Sequence, residues 1–310
     1  MAGGDSIYFA VGQGIKAESG VWYKNIQTLG TGANAVTFLV VANEGPNKGV
    51  LFALKVFRKL SDPQRRAAFL KEVGFLKTCA HPSVMRVFDT GLFTEYSGGT
   101  KLEYPFVVAE YLPTTMADVI RARAIGMPEK ISYALQLLSG LSYLASLKPQ
   151  VVHRDIKPQN IFVKGHSCVL GDFGLMKLLD GQEEPGRTIF KDSAPPGMPF
   201  YYRTPDLVAY ARGKASLTTK SDVFQLGLVL THLFTGWNPC DVAEDILAPV
   251  VLNPISTIPG DLGARIAPLL RRMLVMNPDQ REEAHRLMDG WAGAFEAAVA
   301  MAHMLEGRAF

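Results

Sequence analysis

Asp155 and Asn160 lie five residues apart in the run His153-Arg154-Asp155-Ile156-Lys157-Pro158-Gln159-Asn160. The carboxylate can accept a proton from an incoming hydroxyl, and the carboxamide oxygen can ligate a hard cation. Asp172, in Asp172-Phe173-Gly174, follows twelve residues after Asn160 and offers a second oxygen for a shared Mg²⁺. Taken alone, that tripeptide also reads as an ordinary turn. Far upstream, Gly30 and Gly32 stand in Leu29-Gly30-Thr31-Gly32-Ala33-Asn34-Ala35. With no Cβ in the way, such a backbone can approach phosphates closely; a plain tight hairpin is the other reading. Lys55 lies near the end of an apolar run, where an ammonium is costly without a partner. Glu72, seventeen residues on, is the candidate, and the pair would point the lysine at phosphates. The competing reading has Lys55 snorkelling to solvent and Glu72 on the surface.

These groups need rigid frames. Val151-Val152 and Ile161-Phe162-Val163 bracket the Asp155 loop and read as short buried strands, as does Cys168-Val169-Leu170 before Asp172. In the first third of the chain, Trp22–Leu29, Phe38–Val41 and Val50–Phe57 predict an antiparallel meander, with turn chemistry at residues 43–49. Two more strands are expected at Val84–Asp89 and Pro105–Ala109. Ser61-Asp62-Pro63 predicts a helix start with Asp62 as N-cap and Pro63 at its first position. Phe69, Val73 and Leu76 then recur at helical spacing, with Glu72 beside that apolar face. His81-Pro82 is expected to end the helix. Beyond Glu110-Tyr111-Leu112-Pro113 the pattern turns helical, around Ile131 to Leu144 and then at Lys220–Phe234, Ile266–Met276 and Glu283–Leu305.

The expected fold class is therefore α+β with two lobes: a small antiparallel β lobe holding one helix, and a larger, mostly α-helical lobe. The boundaries read as a flexible leader or extra edge element over 1–20, a β-rich lobe over 21–109, a hinge at 110–113 and a helical lobe over 114–310. Asp222, at a helix start, could hold the Asp155 loop through carboxylate-to-amide bonds, and Asp206 could pair with Arg281. Each also reads as a helix cap.

Bulk properties narrow the partners. With 32 basic and 29 acidic residues, a net charge of +3 is too balanced to argue for nucleic acid. Cys79, Cys168 and Cys240 form no Cys-x-x-Cys pair, which excludes a disulfide framework within the chain and fits a reducing compartment. No apolar run reaches the ~20 residues of a membrane span, and no signal peptide is visible, so a cytoplasmic location is expected.

Taken in order, these elements resemble the eukaryotic-type serine/threonine protein kinase family over roughly Trp22 to Met288, in the protein-kinase-like two-lobe fold. The resemblance implies transfer of the γ-phosphate of ATP, with Mg²⁺ (or Mn²⁺ in its place), to Ser/Thr hydroxyls of protein substrates, including autophosphorylation. It implies that Gly30 and Gly32 cover the phosphates, that Lys55 contacts them and that Glu72 pairs with Lys55. Asp155 would be the catalytic base, Lys157 would reach the γ-phosphate, and Asn160 and Asp172 would hold the metal. Glu110 and Leu112 would present backbone groups to adenine, with Ala53 above the ring and Phe162 below. Arg154 beside the base points to an activating phosphate at Thr188 or Ser193, although both also read as plain loop hydroxyls.

The chain departs from the family pattern at several places. Ala35 stands for a third glycine, Thr37 for the valine over adenine, and Thr204-Pro205-Asp206 for Ala-Pro-Glu, while Ala109 is a small gatekeeper. Two other readings remain. A kinase-like scaffold is disfavoured by the joint presence of Lys55, Asp155, Asn160 and Asp172. A small-molecule phosphotransferase is disfavoured by Asp172-Phe173-Gly174 and by the Asp206/Arg281 pair. Oligomeric state is left open.

Overall fold

The structure, a computed structural model, describes residues 7–32, 34–97, 99–123, 125–174, 176–179, 201–243 and 245–306. Thr188, Ser193 and the proline-rich run 195–199 lie outside the described residues. The chain divides into two compact units, Met1–Ala80 with Val84–Leu112, and His81–Ser83 with Pro113–Phe310.

The first unit is a six-stranded antiparallel sheet with one helix. Its strands are β1 (Gly14–Lys16), β2 (Trp22–Thr31), β3 (Ala35–Ala42), β4 (Leu51–Phe57), β5 (Val87–Ser97) and β6 (Thr100–Glu110), in spatial order β1-β2-β3-β4-β6-β5. Period-two alternation gives the sheet two faces. Phe38, Val40, Phe52, Leu54, Val56, Phe106 and Val108 point into one apolar cluster. On β4, Ala53 and Lys55 occupy the intervening, half-buried positions, beside Ala109 and Val107 of β6. The helix α1 (Pro63–Thr78) starts as its sequence dictates: Asp62 accepts the amides of Gln64 and Arg65 at 3.1 and 3.0 Å. Its Phe69 and Val73 pack with Phe57 and Val107.

The second unit is mainly helical: α2 (Met116–Ala122), α3 (Met127–Ser146), α4 (Pro205–Ala211), α5 (Lys220–Thr235), α6 (Gly260–Met273) and α7 (Ala284–Glu306). Between α3 and α4 run β8 (Gln150–Val152), β9 (Ile161–Lys164), β10 (Ser167–Leu170) and β11 (Lys177–Leu179), with β7 (Thr114–Thr115) ahead of α2. β9 pairs with β10 and β7, and β8 pairs with β11, all antiparallel. Nearly every residue of α5 from Ser221 to Phe234 is buried, so this helix is a core element and lacks a solvent face. Among the described residues no helix is long and apolar enough to cross a membrane.

One sequence expectation needs correction, and one open reading is decided. The strand expected from Val84 begins only at Val87, because Ser83 gives its carbonyl to Leu170 and belongs to the helical unit. Of the two readings of the opening segment, residues 7–20 follow the extra edge element. Phe9 is 5% exposed and meets Phe38 and Phe93 edge-on at 5.3 and 5.5 Å. β1 extends the sheet beyond β2, and just past it Glu18 donates its amide to Thr90 on the opposite edge strand at 2.8 Å. The sheet therefore curls towards closure. Gly91 permits that approach, since a Cβ there would lie 2.5 Å from the Phe106 ring and 3.3 Å from Ala17 Cα. Asp89 fastens the same segment through Ser19 and Tyr23, and burial, then Asp89, pushes the Tyr23 phenol up to about 12. Phe9→Ala should accordingly lower unfolding stability by roughly 3 kcal/mol in urea titrations, whereas an unattached leader would leave the midpoint unmoved.

Candidate active site

The Asp155 loop is positioned from below by one buried helix. His153 N and Arg154 N both donate to the Asp222 carboxylate, at 2.7 and 2.9 Å. One turn further along α5, Gln225 accepts from Ile156 N at 3.0 Å and donates to Arg154 O at 3.1 Å and Tyr202 O at 3.0 Å. Burial pushes Asp222 up to about 7, opposed by the two amides and the Arg154 guanidinium, which favour the carboxylate. The fold holds Arg154 at φ 70° and Asp172 at φ 55°, both left-handed and neither glycine. Non-glycine residues persist there only when their surroundings over-determine the backbone.

Within this frame the charged groups converge. Lys157 Nζ lies 3.1 and 2.9 Å from the two Asp155 oxygens, and Asn160 Nδ2 donates to Asp155 O at 2.9 Å and Oδ2 at 2.8 Å. Burial raises Asp155 to about 6; Lys157 pulls it down and the nearby Asp172 carboxylate pushes it up. His153 is fully buried, and desolvation lowers it to about 4, so the imidazole is neutral at pH 7. Its hydrogen bonds assign the tautomer: Nε2 donates to Gly171 O at 3.1 Å, while Nδ1 accepts Asp155 N at 3.3 Å. The ring also lies 4.4 Å from Phe173. This one side chain thus links the Asp155 loop to the Asp172 turn.

The donor set fits Mg²⁺. With both amide protons turned to Asp155, Asn160 keeps Oδ1 without a hydrogen-bond donor among the described residues, and Asp172 adds a carboxylate. Mg²⁺ needs only one or two such protein oxygens because it keeps water and phosphate ligands. Among the described residues no group of three His, Cys, Asp or Glu is arranged to hold a metal.

In the sheet unit, Lys55 Nζ stands 3.3 Å from Glu72 Oε1, with Glu72 buried and the lysine side chain 28% exposed. Gly30 pairs with Thr37 near the end of β2, and Gly32 N donates to Ala35 O at 2.8 Å. A Cβ at Gly30 would meet nothing within 4 Å, and one at Gly32 only Ala35 O at 3.6 Å. Packing within the chain therefore does not require glycine at either position. Ala53 lies two residues before Lys55 on the same face of β4. Glu110 ends β6 with its amide on Arg86 O at 3.2 Å, Leu112 is buried, and Phe162 sits half-buried in β9. The structure thus places Gly30, Gly32, Ala53, Lys55, Glu72, Glu110 and Leu112 in the first unit, and Asp155, Lys157, Asn160, Phe162 and Asp172 in the second.

The second unit is cross-braced by Asp206 and Arg281, a bidentate pair at 3.0 and 3.1 Å with both side chains almost fully buried. Arg281 also reaches the carbonyls of Val275 and Lys220, so its donors are satisfied. Sequence reasoning missed Gln225 and the linking role of His153. Gln225 was detectable in principle, because it lies three residues after Asp222 on the same helix face.

Residues 23–291 match the model of the protein kinase domain family, and the chain belongs to that family. Among similar proteins is a probable serine/threonine-protein kinase of Dictyostelium discoideum, 32% identical over 217 residues, or 69% of this chain and 12% of that protein. The carbon catabolite-derepressing protein kinase of Saccharomyces cerevisiae is 27% identical over 276 residues, covering 87% and 40%. Mitogen-activated protein kinase kinase kinase 5 of Arabidopsis thaliana is 28% identical over 279 residues, covering 86% and 36%. The chain spans two fifths or less of the length of these relatives.

Asp222→Asn should destabilise the chain by about 2 kcal/mol. The new amide can accept from one backbone N–H but turns its own N–H₂ towards the other, leaving a buried donor unsatisfied. Chemical denaturation measures the loss, and faster amide exchange at His153 and Arg154 should accompany it.

Proposed function

We propose that this chain is a serine/threonine protein kinase that transfers the γ-phosphate of ATP to hydroxyls of protein substrates. The observation that carries this reading is the Asp155–Lys157–Asn160 cluster, held rigid by Asp222 and Gln225 with the Asp172 carboxylate alongside. Phosphoryl transfer has a loose transition state, so positioning and charge supply most of the rate. Asp155 would take the proton of the incoming hydroxyl. Lys157, which holds that carboxylate, would also meet the phosphate being transferred. Lys55, steadied by Glu72, would hold the other phosphates, under a backbone kept close by Gly30 and Gly32. Ala53, Glu110, Leu112 and Phe162 would bound the adenine.

Asn160 and Asp172 would bind Mg²⁺, or Mn²⁺ in its place, which supplies positive charge to the phosphate oxygens. Autophosphorylation at Thr188 or Ser193 and a cytoplasmic location belong to the same reading.

Asp155→Asn should lower γ-phosphate transfer to a generic protein substrate by 10²-fold or more, while Mg-ATP still raises the melting temperature of the variant. Equal transfer by the variant and the parent would show that another group is the base. Absence of any thermal shift with Mg-ATP in the parent would instead favour a scaffold that binds no nucleotide.

A further inference from the structure

Two cationic side chains and a histidine, from three helices of the second unit, converge away from the Asp155 loop. Arg123 ends α2, with φ 51°. Lys130 stands in the first turn of α3, and His232 in the last turn of α5. The Arg123 guanidinium lies against Gly236, where a Cβ would come within 3.2 Å of Nη2. Lys130 Nζ is 5.9 Å from the centre of the Phe234 ring. Phe234 and Gly236 are the second and fourth residues after His232, so all three side chains gather at one end of α5. After burial, the charge of Arg123 is what lowers the proton affinity of both Lys130 and His232.

Among the described residues, none of the three forms an ion pair. Glu129, the carboxylate next to Lys130, is bonded to Tyr133 and His166, at 2.8 and 3.1 Å. A helix C-terminus attracts cations, which explains part of the cluster. It does not explain Lys130, which sits at the N-terminal end of its own helix, where the dipole opposes a positive charge. Nor are these cations needed to satisfy the end of α5, because Thr235 Oγ1 and Gly236 N already bond the carbonyls of Thr231 and His232 at 2.7 and 2.8 Å. Like charges brought together and partly desolvated are unfavourable, and an anion would offset that cost.

The position of the cluster points to its occupant. Gln225 holds Ile156, the neighbour of Asp155, and His232 lies seven residues further along the same helix. At 1.5 Å per residue this is a separation of about 10 Å. Tyr202 touches both places, its carbonyl on Gln225 Nε2 and its hydroxyl on His232 Nδ1 at 3.0 Å. An extended peptide advances about 3.3 Å per residue, so it covers that separation in roughly three residues. We propose that Arg123, Lys130 and His232 form an anion subsite that selects protein substrates with an acidic side chain about three residues from the phosphoacceptor. This inference rests on the protein kinase reading above.

The test uses serine peptides that are alike except for one Glu, moved position by position, with an all-Ala counterpart. The ratio of kcat/KM for the best Glu peptide over the Ala peptide should be on the order of tenfold. It should fall to about one in Arg123→Gln/Lys130→Met and invert in Arg123→Glu/Lys130→Glu. Being a ratio, it does not depend on how much of a variant folds. A ratio of one at every position in the parent, or one unchanged by both double substitutions, overturns the subsite while transfer to the Ala peptide leaves the kinase reading intact. If no peptide is phosphorylated, the kinase reading fails, and fluorescence anisotropy of a labelled oligo-glutamate peptide decides the subsite separately. Weaker binding after charge reversal supports the site, and equal binding overturns it.

Discussion

Asp222 and Gln225 together satisfy the amides of His153, Arg154 and Ile156 and the carbonyl of Arg154, which no strand or helix of their own can satisfy. A buried loop must find partners for its amides and carbonyls or forfeit a kcal/mol or more for each. Here the partners are two side chains spaced one helical turn apart on a helix that is itself core. The consequence is that Asp155 is aimed by the interior of the helical unit, and the exposed surface contributes little. The left-handed backbone at Arg154 and Asp172 is tolerated for the same reason: so many bonds converge on these residues that the strain is held in place.

Electrostatics within that frame follow from burial. Burial raises the proton affinity of Asp155, and the Lys157 ammonium and the Asn160 amide oppose it. His153 shows the opposite sign of the same effect: a buried imidazole stays neutral, and neutrality lets it donate to Gly171 while accepting from Asp155. A protonated ring could not do both. The link between the Asp155 loop and the Asp172 turn therefore depends on a desolvated histidine, with Phe173 as part of the apolar wall that keeps water from it.

The sheet unit obeys a different constraint. Its strands alternate so that one face is filled with aromatic and β-branched side chains, and this leaves the alternate positions of β4 for Ala53 and Lys55. Much of that was legible beforehand, because period-two alternation and the Asp62-Pro63 helix start are local signals. For the segment before β2 the sequence left a leader and an edge element both open, for a physical reason. Residues 7–20 show no period of their own, and their order comes from contacts with Phe38, Phe93, Asp89 and Thr90, which are distant in sequence. Likewise the residues from Val84 looked like strand by composition, yet the carbonyl of Ser83 was taken by Leu170.

The sequence by itself determined the α+β class, most strands and helices, and the residue types at Lys55, Glu72, Asp155, Asn160 and Asp172, because hydrophobic period, capping chemistry and fixed spacing are written into short stretches. Only the tertiary structure decided that Gln225 braces the loop, that His153 is neutral and bridging, that the first described residues extend the sheet, and that Arg123, Lys130 and His232 meet without a carboxylate among the described residues. Each of those facts depends on which distant side chains exclude water from, or donate to, a given atom, and burial of that kind has no signature in the neighbouring residues.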